Sequence, residues 1–482
     1  MIQSIRKVLV ANRGEIAIRI FQTLREIGIQ TVAVYTDPDV HALHARSADE
    51  TIRIESYLQA DEIIRAAKST GADAIHPGYG FLSESTKLSS ACEASGVRLI
   101  GPTTDTIRRM GDKLESKLLM KQAGVPVVPS WDSNPPDSEF PVLVKAVGGG
   151  GGKGMRRVDH PLQLAVALAS ASREAGKAFN DDRVFIEKYV SSPRHIEFQI
   201  LGDTHGNVIH VFERECSIQR RHQKVIEETP SPALTPELRQ RMGSAAVAAA
   251  KAVGYVNAGT VEFIVGPDGR FYFLEMNTRL QVEHPVTEMT TGLDLVREQI
   301  RIAEGHPLSI SQADLKQTGH AIECRIYAEV PEENFRPDIG TVAVYRPPLG
   351  SGIRLDSGVQ EGSEISVHYD PLLGKLVVWA GSREAAIERM KRALAEFVLL
   401  GVRNNIEFLY RVIDHPEFGE GRIDTHFLER HPELALPAAT EIPFEALLAA
   451  SLASGKSTST ATADGGPAAF TDVWTSGTWR IS

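Results

Sequence analysis

At 482 residues the chain is too long for one small core and is expected to fold as roughly two to four domains. Its net charge of -10 argues against a general nucleic-acid or anionic-membrane binder. No apolar run approaches the ~18 residues that span a bilayer, the N-terminus enters a strand-like run without a signal or transit peptide, and Cys92, Cys216 and Cys324 lack metal-ligand spacing, so reduced thiols in the cytoplasm are expected.

Lys7 to Ala11 reads as a buried-type strand, followed by an apolar-periodic helix through Ile16, Ile20 and Leu24 that Gly28 closes. Thr31–Tyr35, Ala72–His76 and Val97–Ile100 supply further strands, with a helix from Asp61 to Lys68 among them. Strands alternating with helices indicate a parallel, Rossmann-like sheet. No G-x-G-x-x-G follows the first strand, so a dinucleotide site is not indicated. The loop His76-Pro-Gly-Tyr-Gly-Phe-Leu-Ser-Glu84 leaves the carboxyl end of a strand, where open α/β sheets bind ligands, although it also fits a plain Pro-Gly turn.

A helix from Asp112 to Ala123 leads into a new module. Pro141 to Lys145 is a strand, and the glycine run Gly148–Gly152 with Lys153-Gly154 follows at once. Such a run serves either as a flexible linker or as a flap whose N–H groups close on an anion. It is not a Walker A motif, because Gly154 stands where Ser or Thr is required. Arg183 to Val190 is a further strand. The stretch Glu213 to Glu228 mixes acids, cations and one histidine; it reads either as a self-paired surface loop or as a source of positive charge for a phosphate or carbonate through Arg220, Arg221 and Lys224. Pro236 to Ala252 is a helix with an alanine-rich face.

Gly259–Val265 and Phe271–Glu275 flank Asp268-Gly269 and form a predicted hairpin. A two-residue turn there places Glu262 opposite Glu275, where two carboxylates repel. On an exposed edge hairpin the two acids would simply be solvated; Phe263, Phe271, Phe273 and Leu274 point instead to a packed hairpin, where the repulsion needs relief and a divalent cation held by both acids and the amide oxygen of Asn277 would supply it. From Glu275 to Glu283 the polar positions Glu275, Asn277, Arg279, Gln281 and Glu283 alternate with mostly apolar ones, which predicts an extended segment with one chemical face.

From Gly319 a β-rich segment follows, with strands His320–Ala328, Gly340–Tyr345, Ile353–Asp356 and Lys375–Trp379, closed by helices Arg383–Phe397 and Asn404–Ile413. Beyond Pro437 the Ala, Ser, Thr and Gly content reads as a linker or disordered tail.

The ordered motifs Ala11-Asn-Arg-Gly-Glu-Ile-Ala17, His76–Glu84, Gly148–Gly154, Arg220-Arg-His-Gln-Lys224, Glu275-Met-Asn-Thr-Arg279 and Gln281–Glu288 strongly resemble the biotin carboxylases of the ATP-grasp superfamily. The resemblance covers Val8 to His431. It implies an α/β fold, α+β overall: a Rossmann-like N-terminal domain (1–112), an ATP-grasp domain (113–318) with a mobile lid at about 128–200, a β-rich C-terminal domain (319–436), and a tail (437–482) that could begin a further domain.

The same resemblance implies ATP contacts at Lys113, Lys145, the flap glycines Gly149, Gly150, Gly151 and Gly152, Glu187, Lys188, His195, Gln219 and His222. It places Mg²⁺ or Mn²⁺ at Glu262, Glu275 and Asn277, and bicarbonate at Arg279, Gln281 and the backbone of Val282. Glu283 would take the bicarbonate proton, Lys224 would hold carbonate or phosphate oxygens, and Arg325 would stabilise the biotin enolate. From spacing alone, Arg325 reads as a strand arginine paired with Glu323.

Biotin would arrive on a separate carboxyl carrier protein or domain, since no Met-Lys-Met motif occurs, and a carboxyltransferase would complete the reaction. Arg354, Arg19 and Glu26 match dimer-interface positions, although Ser351 stands where stand-alone bacterial subunits typically carry phenylalanine. Val127 to Glu139 is shorter than the family's usual run, as if a lid helix were missing. Arg354–Gly362 and Val367–Pro371 look more like acyl-CoA carboxylase α chains, the enzymes of fatty acid metabolism, than like the stand-alone protein.

Overall fold

The computed structural model describes residues 2–131, 134–147, 155–179 and 181–436. The glycine run, with Gly149 to Gly152, and the tail from 437 lie outside the described residues. The N-terminal strands build a five-stranded parallel sheet in the order Glu50–Arg53, Gln30–Tyr35, Lys7–Val10, Ala74–His76, Arg98–Leu99. Helix Gly14–Glu26 buries Ile16, Ile20, Phe21 and Leu24 against it. The edge strand Glu50–Arg53 was not predicted. Its residues are largely exposed, so neither an apolar run nor a clean alternation marks it.

An eight-stranded antiparallel sheet forms the body, in the order Phe271–Asn277, Asn257–Val265, Arg194–Gly202, Val208–Arg220, Gln223–Thr229, His320–Tyr327, Leu372–Ala380, Ile353–Ser357. Side chains alternate strictly enough to give it two chemistries. On one face Ile196, Phe198, Ile200, Val261 and Phe263 pack under helix Pro236–Ala252, while Ile322, Cys324, Ile326, Leu376 and Val378 share a core with helices Arg383–Glu396 and Ile406–Asp414. The other face carries Glu197, Glu262, Glu323, Arg325 and Lys375, all buried. The stretch Glu213 to Glu228 is therefore not a solvated surface loop. It is the central hairpin of this sheet, with Glu213, Arg214, Glu215, Glu227 and Glu228 all buried.

A separate four-stranded antiparallel sheet runs Ser130–Trp131, Val184–Lys188, Val142–Ala146, Arg156–Val158 and packs on helix Leu164–Phe179 through Val142, Val144, Val158, Leu164 and Ile186. Between 134 and 141 the chain makes one 3-10 turn, Asp137–Glu139.

The predicted pair Glu262 and Glu275 is opposed in the sheet, but by a different route. The turn has three residues, Pro267-Asp268-Gly269, with Gly269 at φ 72° and bonds from Gly269 N to Gly266 O (3.0 Å) and from Gly266 N to Arg270 O (2.8 Å). This is a type I turn with a left-handed residue, for which glycine is suited. Val265 then pairs with Phe271, and a bulge between Glu262 and Phe263 restores the register at the two acids. The extended segment is also shorter than predicted. The strand ends at Asn277, residues 278–283 form an irregular loop, and helix His284–Thr291 begins with Pro285 in its first turn.

Candidate active site

The two sheets border a cavity of about 830 Å³. Its floor begins with acids. Glu262 pairs with Glu275 on one side and with Glu197 on the other, so three carboxylates stand on adjacent strands. Adjacent like charges destabilise a sheet unless compensated. Lys224 compensates most of this, with Nζ 2.6 Å from Glu197, 2.8 Å from Glu262 and 2.6 Å from Glu283. Arg214 lies 2.5 Å from Glu197 and His195 Nε2 2.7 Å from Glu262.

The titration of the acids follows. Burial pushes the Glu262 carboxyl up, but Lys224 and His195 outweigh it and hold the group well below the usual carboxylate range. Glu275 goes the other way: burial and the Glu262 charge raise it more than Lys113 lowers it. Asn277, opposite Thr260, donates its Nδ2 to Glu262 Oε1 (2.8 Å) and accepts at Oδ1 from Arg279. Glu275 beside an ionised Glu262 offers hard carboxylate oxygens of the kind a divalent cation takes, and Asn277 would add its oxygen to them only with its amide turned over.

The loop after Asn277 is held by the N-terminal module. Glu84 accepts from Thr278 N (3.0 Å) and Arg279 Nε (2.9 Å), so the His76–Glu84 loop acts as a buttress. Arg279 donates onward to Gln281 Oε1 (2.9 Å) and Asn277 Oδ1 (3.1 Å). Arg279, Gln281 and Val282 line the cavity together with Lys224 and Arg325. Glu283 is fully buried behind them, with Lys224 at 2.6 Å and Arg325 Nη2 at 3.0 Å. Burial would raise its carboxyl, yet Lys224, Arg325 and Arg214 hold it far below the normal range. Arg325 is not paired with Glu323 as spacing had indicated; its partners are Glu227 (Nε, 2.7 Å) and Glu283. Burial and neighbouring acids raise Glu227 to about 7 even with Arg325 beside it.

Lys113, Lys145, Glu187, His195, Gln219 and His222, the residues expected at ATP, line the cavity as well. Lys145 lies 2.9 Å from Glu187, and Gln219 Nε2 donates to His195 Nδ1 at 2.6 Å. Lys188 is not brought in; it turns to Glu139 at 3.3 Å. Lys117, paired with Glu187, and the apolar Phe185 and Leu274 line the cavity too and were missed. Glu197 was missed too, because its pairing with Glu262 joins strands distant in the chain. Arg13, Phe81 and Tyr369 also line the cavity; Phe81 stacks on Tyr57 at 4.8 Å, and the Arg13 guanidinium lies 4.1 Å over Tyr369. The positions read as interface contacts are partly used within the chain, with Arg19 on Glu288 and Asp294 (both 2.9 Å) and Arg354 on Glu288 (2.7 Å). Cys92, Cys216 and Cys324 are free and buried. No helix among the described residues is long and apolar enough to cross a membrane.

Three family models match in order: the biotin carboxylase N-terminal domain over 4–107, the carbamoyl-phosphate synthase L chain ATP-binding domain over 112–311, and the biotin carboxylase C-terminal domain over 323–430. A pyruvate carboxylase subunit of Methanothermobacter thermautotrophicus is 53% identical over 441 residues, covering 88% of this chain and 90% of that protein. The alpha chain of the mitochondrial methylcrotonoyl-CoA carboxylase of Arabidopsis thaliana is 50% identical over 468 residues, and the match covers 92% of this chain but 64% of that protein's length. Among solved structures, the biotin carboxylase domain of Hydrogenobacter thermophilus 2-oxoglutarate carboxylase, a dimer with MgADP, ADP and bicarbonate, superposes with TM-score 0.87 at 48% identity over 90% of this chain and all of that one. The Campylobacter jejuni biotin carboxylase gives 0.85 at 44% identity, covering 89% of this chain and 99% of that one. With its fold and sequence in agreement, the chain belongs to the biotin carboxylase family of ATP-grasp ligases, which use ATP to carboxylate biotin with bicarbonate.

Proposed function

We propose that the cavity divides its residues as follows. Lys113, Lys145, Glu187, His195, Gln219 and His222 hold ATP, with Lys117 as an added cation at the phosphates and Lys188 as an outer contact made on lid closure. Glu262, Glu275 and Asn277 hold the divalent ion, which when bound neutralises phosphate charge. Arg279, Gln281 and the N–H of Val282 seat bicarbonate. Its proton passes to Glu283, which the surrounding cations keep ionised and hence able to accept it. Those cations also make Glu283 a weak base, so acceptance follows when the incoming anion draws Lys224 and Arg325 toward itself.

A bicarbonate oxygen then attacks the γ-phosphorus, the bond to the β-phosphate oxygen breaks with its electron pair on ADP, and carboxyphosphate forms. Its decomposition yields CO₂ and phosphate; phosphate removes the N1 proton of biotin, Arg325 stabilises the enolate, and N1 attacks CO₂. Closure of the lid over the cavity keeps CO₂ from escaping.

The observation that supports this most is the convergence on one cavity of the Glu262–Glu275 pair, the Arg279–Gln281–Val282 loop and the Arg325–Glu283 pair. Biotin would come on a separate carrier, and a carboxyltransferase would pass the carboxyl group to an acyl-CoA, as in the name of the methylcrotonoyl-CoA relative, whereas the Methanothermobacter relative is named for pyruvate. A homodimer, a cytoplasmic location, and domain limits near 112, 318 and 436 complete the proposal. Chelation of divalent ions should abolish ADP release and added Mg²⁺ restore it; ADP release unaffected by a chelator would contradict the assignment.

A further inference from the structure

Behind the bicarbonate loop, and outside the cavity wall, lies a lysine that the reaction does not account for. Lys375 is 0% exposed, in the strand Leu372–Ala380, opposite Arg325 on one neighbouring strand and Asp356 on the other. A buried ammonium is costly unless paired and fully hydrogen-bonded. Its Nζ lies 3.2 Å from Glu15 and 3.6 Å from Asp356, and donates at 2.9 Å to the backbone carbonyl of Val282. Asp356 is itself fixed by Arg354 at 2.8 Å and 2.9 Å.

We propose that Lys375 is a positioning residue for the carboxylation reaction: by holding the Val282 carbonyl it sets the peptide joining Val282 to Glu283, and so orients both the bicarbonate seat and the proton acceptor. The carbonyl belongs to the residue whose own N–H faces bicarbonate, and the peptide it fixes starts Glu283. Without the lysine, a loop of irregular backbone tied mainly through Glu84 on one side and the His284 ring on the other (Nδ1 to Gln281 O, 2.7 Å) loses its central tether. Glu15 gives the tether a second end in helix Gly14–Glu26, so the N-terminal module grips the loop both through Glu84 and through Glu15. Burial raises Glu15 to about 7 against the pull of Lys375, so this acid can go neutral when its partner is removed, and Asp356 keeps Arg354. Replacement of Lys375 is thus compatible with folding.

The proposal rests on the reading that Arg279, Gln281 and Val282 seat bicarbonate. The test is steady-state ADP release by the parent chain and by Lys375→Met and Glu15→Gln, titrating bicarbonate and MgATP separately with biotin present. A parent chain with no bicarbonate dependence would remove the site reading itself. Given that dependence, Lys375→Met is expected to raise the KM for bicarbonate about tenfold or more, the worth of a charged hydrogen bond, and to leave the KM for MgATP within about twofold. Glu15→Gln, which keeps the ammonium, is expected to raise the bicarbonate KM about threefold, again without an ATP effect. An unchanged bicarbonate KM in Lys375→Met, or equal losses toward both substrates, overturns the proposal. If Lys375→Met does not fold, Glu15→Gln decides by the same two criteria.

Discussion

Glu283 is the proposed proton acceptor, and its surroundings suit a carboxylate. Fully buried with Lys224 at 2.6 Å and Arg325 at 3.0 Å, it is ionised across the physiological range. Glu283→Gln keeps the shape and removes the acceptor, so bicarbonate-dependent ADP release should fall at least about 100-fold while MgATP affinity changes little. Wild-type turnover in that variant would exclude the role. Glu15 offers a thermodynamic check. Its carboxyl, raised by burial from 4.5 to about 7, binds a proton in the folded chain that the unfolded chain has lost between those values. Stability from this group is full below 4.5 and is lost as pH rises through 7. Urea unfolding of Glu15→Gln should therefore gain on the parent by about 3 kcal/mol between acid and mildly alkaline pH; parallel profiles would contradict the raised value. Of these residues, Glu262 and Glu275 were legible because one short turn joins their strands. Even there the sequence indicated the right pair through the wrong turn, since a bulge cannot be read from composition. Glu197 and Lys375 were not legible, because the contacts that give them meaning join strands far apart in the chain.

At the level of elements, periodicity marked some amphipathic helices and passed over others, such as Leu164–Phe179 and Leu295–Ala303. Helix Pro236–Ala252 was predicted at its observed limits, with Pro at its first position and Thr235 as its cap. It failed where charge is buried: the hairpin Val208–Thr229 looks like a surface run because its acids and cations, paired across strands, resemble solvated ones in a string of letters. Glu228 illustrates the cost and its offset. Burial opposes its ionisation, but His320 at 2.7 Å and Arg383 at 2.7 Å bring it down to about 2. The stability this supplies is present above 4.5 and is lost as pH falls toward 2. Arg383 opens helix Arg383–Glu396, so Arg383→Ala should cost about 3 kcal/mol at neutral pH and move the midpoint of acid unfolding upward. An unchanged midpoint would show that the pair does not tie this helix to the sheet.

Across the whole molecule, one eight-stranded sheet carries apolar residues under helices on one face and the charged floor of the site on the other. The strand His320–Tyr327, which bears Arg325, pairs with Gln223–Thr229, which bears Lys224, so ATP-grasp and C-terminal segments share a single hydrogen-bonded frame. Assembly is testable at this scale. Arg19 and Arg354 are engaged within the chain, whereas Glu26 is exposed and pairs only with Arg297 among the described residues, at 3.3 Å. Glu26→Arg should therefore shift a dimer toward monomer, as measured by solution mass at several concentrations, with little change in melting temperature; an unchanged dimer would move the interface elsewhere. The family and its fold were legible from ordered motifs, but the burial of Glu283 behind Lys224 and Arg325 emerged only from the structure. The most direct test of the account is ADP release by this polypeptide with Mg²⁺ and saturating bicarbonate, with and without free biotin, followed by assay for carboxybiotin. Release that requires bicarbonate, rises with biotin and yields carboxybiotin is predicted; release indifferent to bicarbonate, or turnover without carboxybiotin, would contradict it.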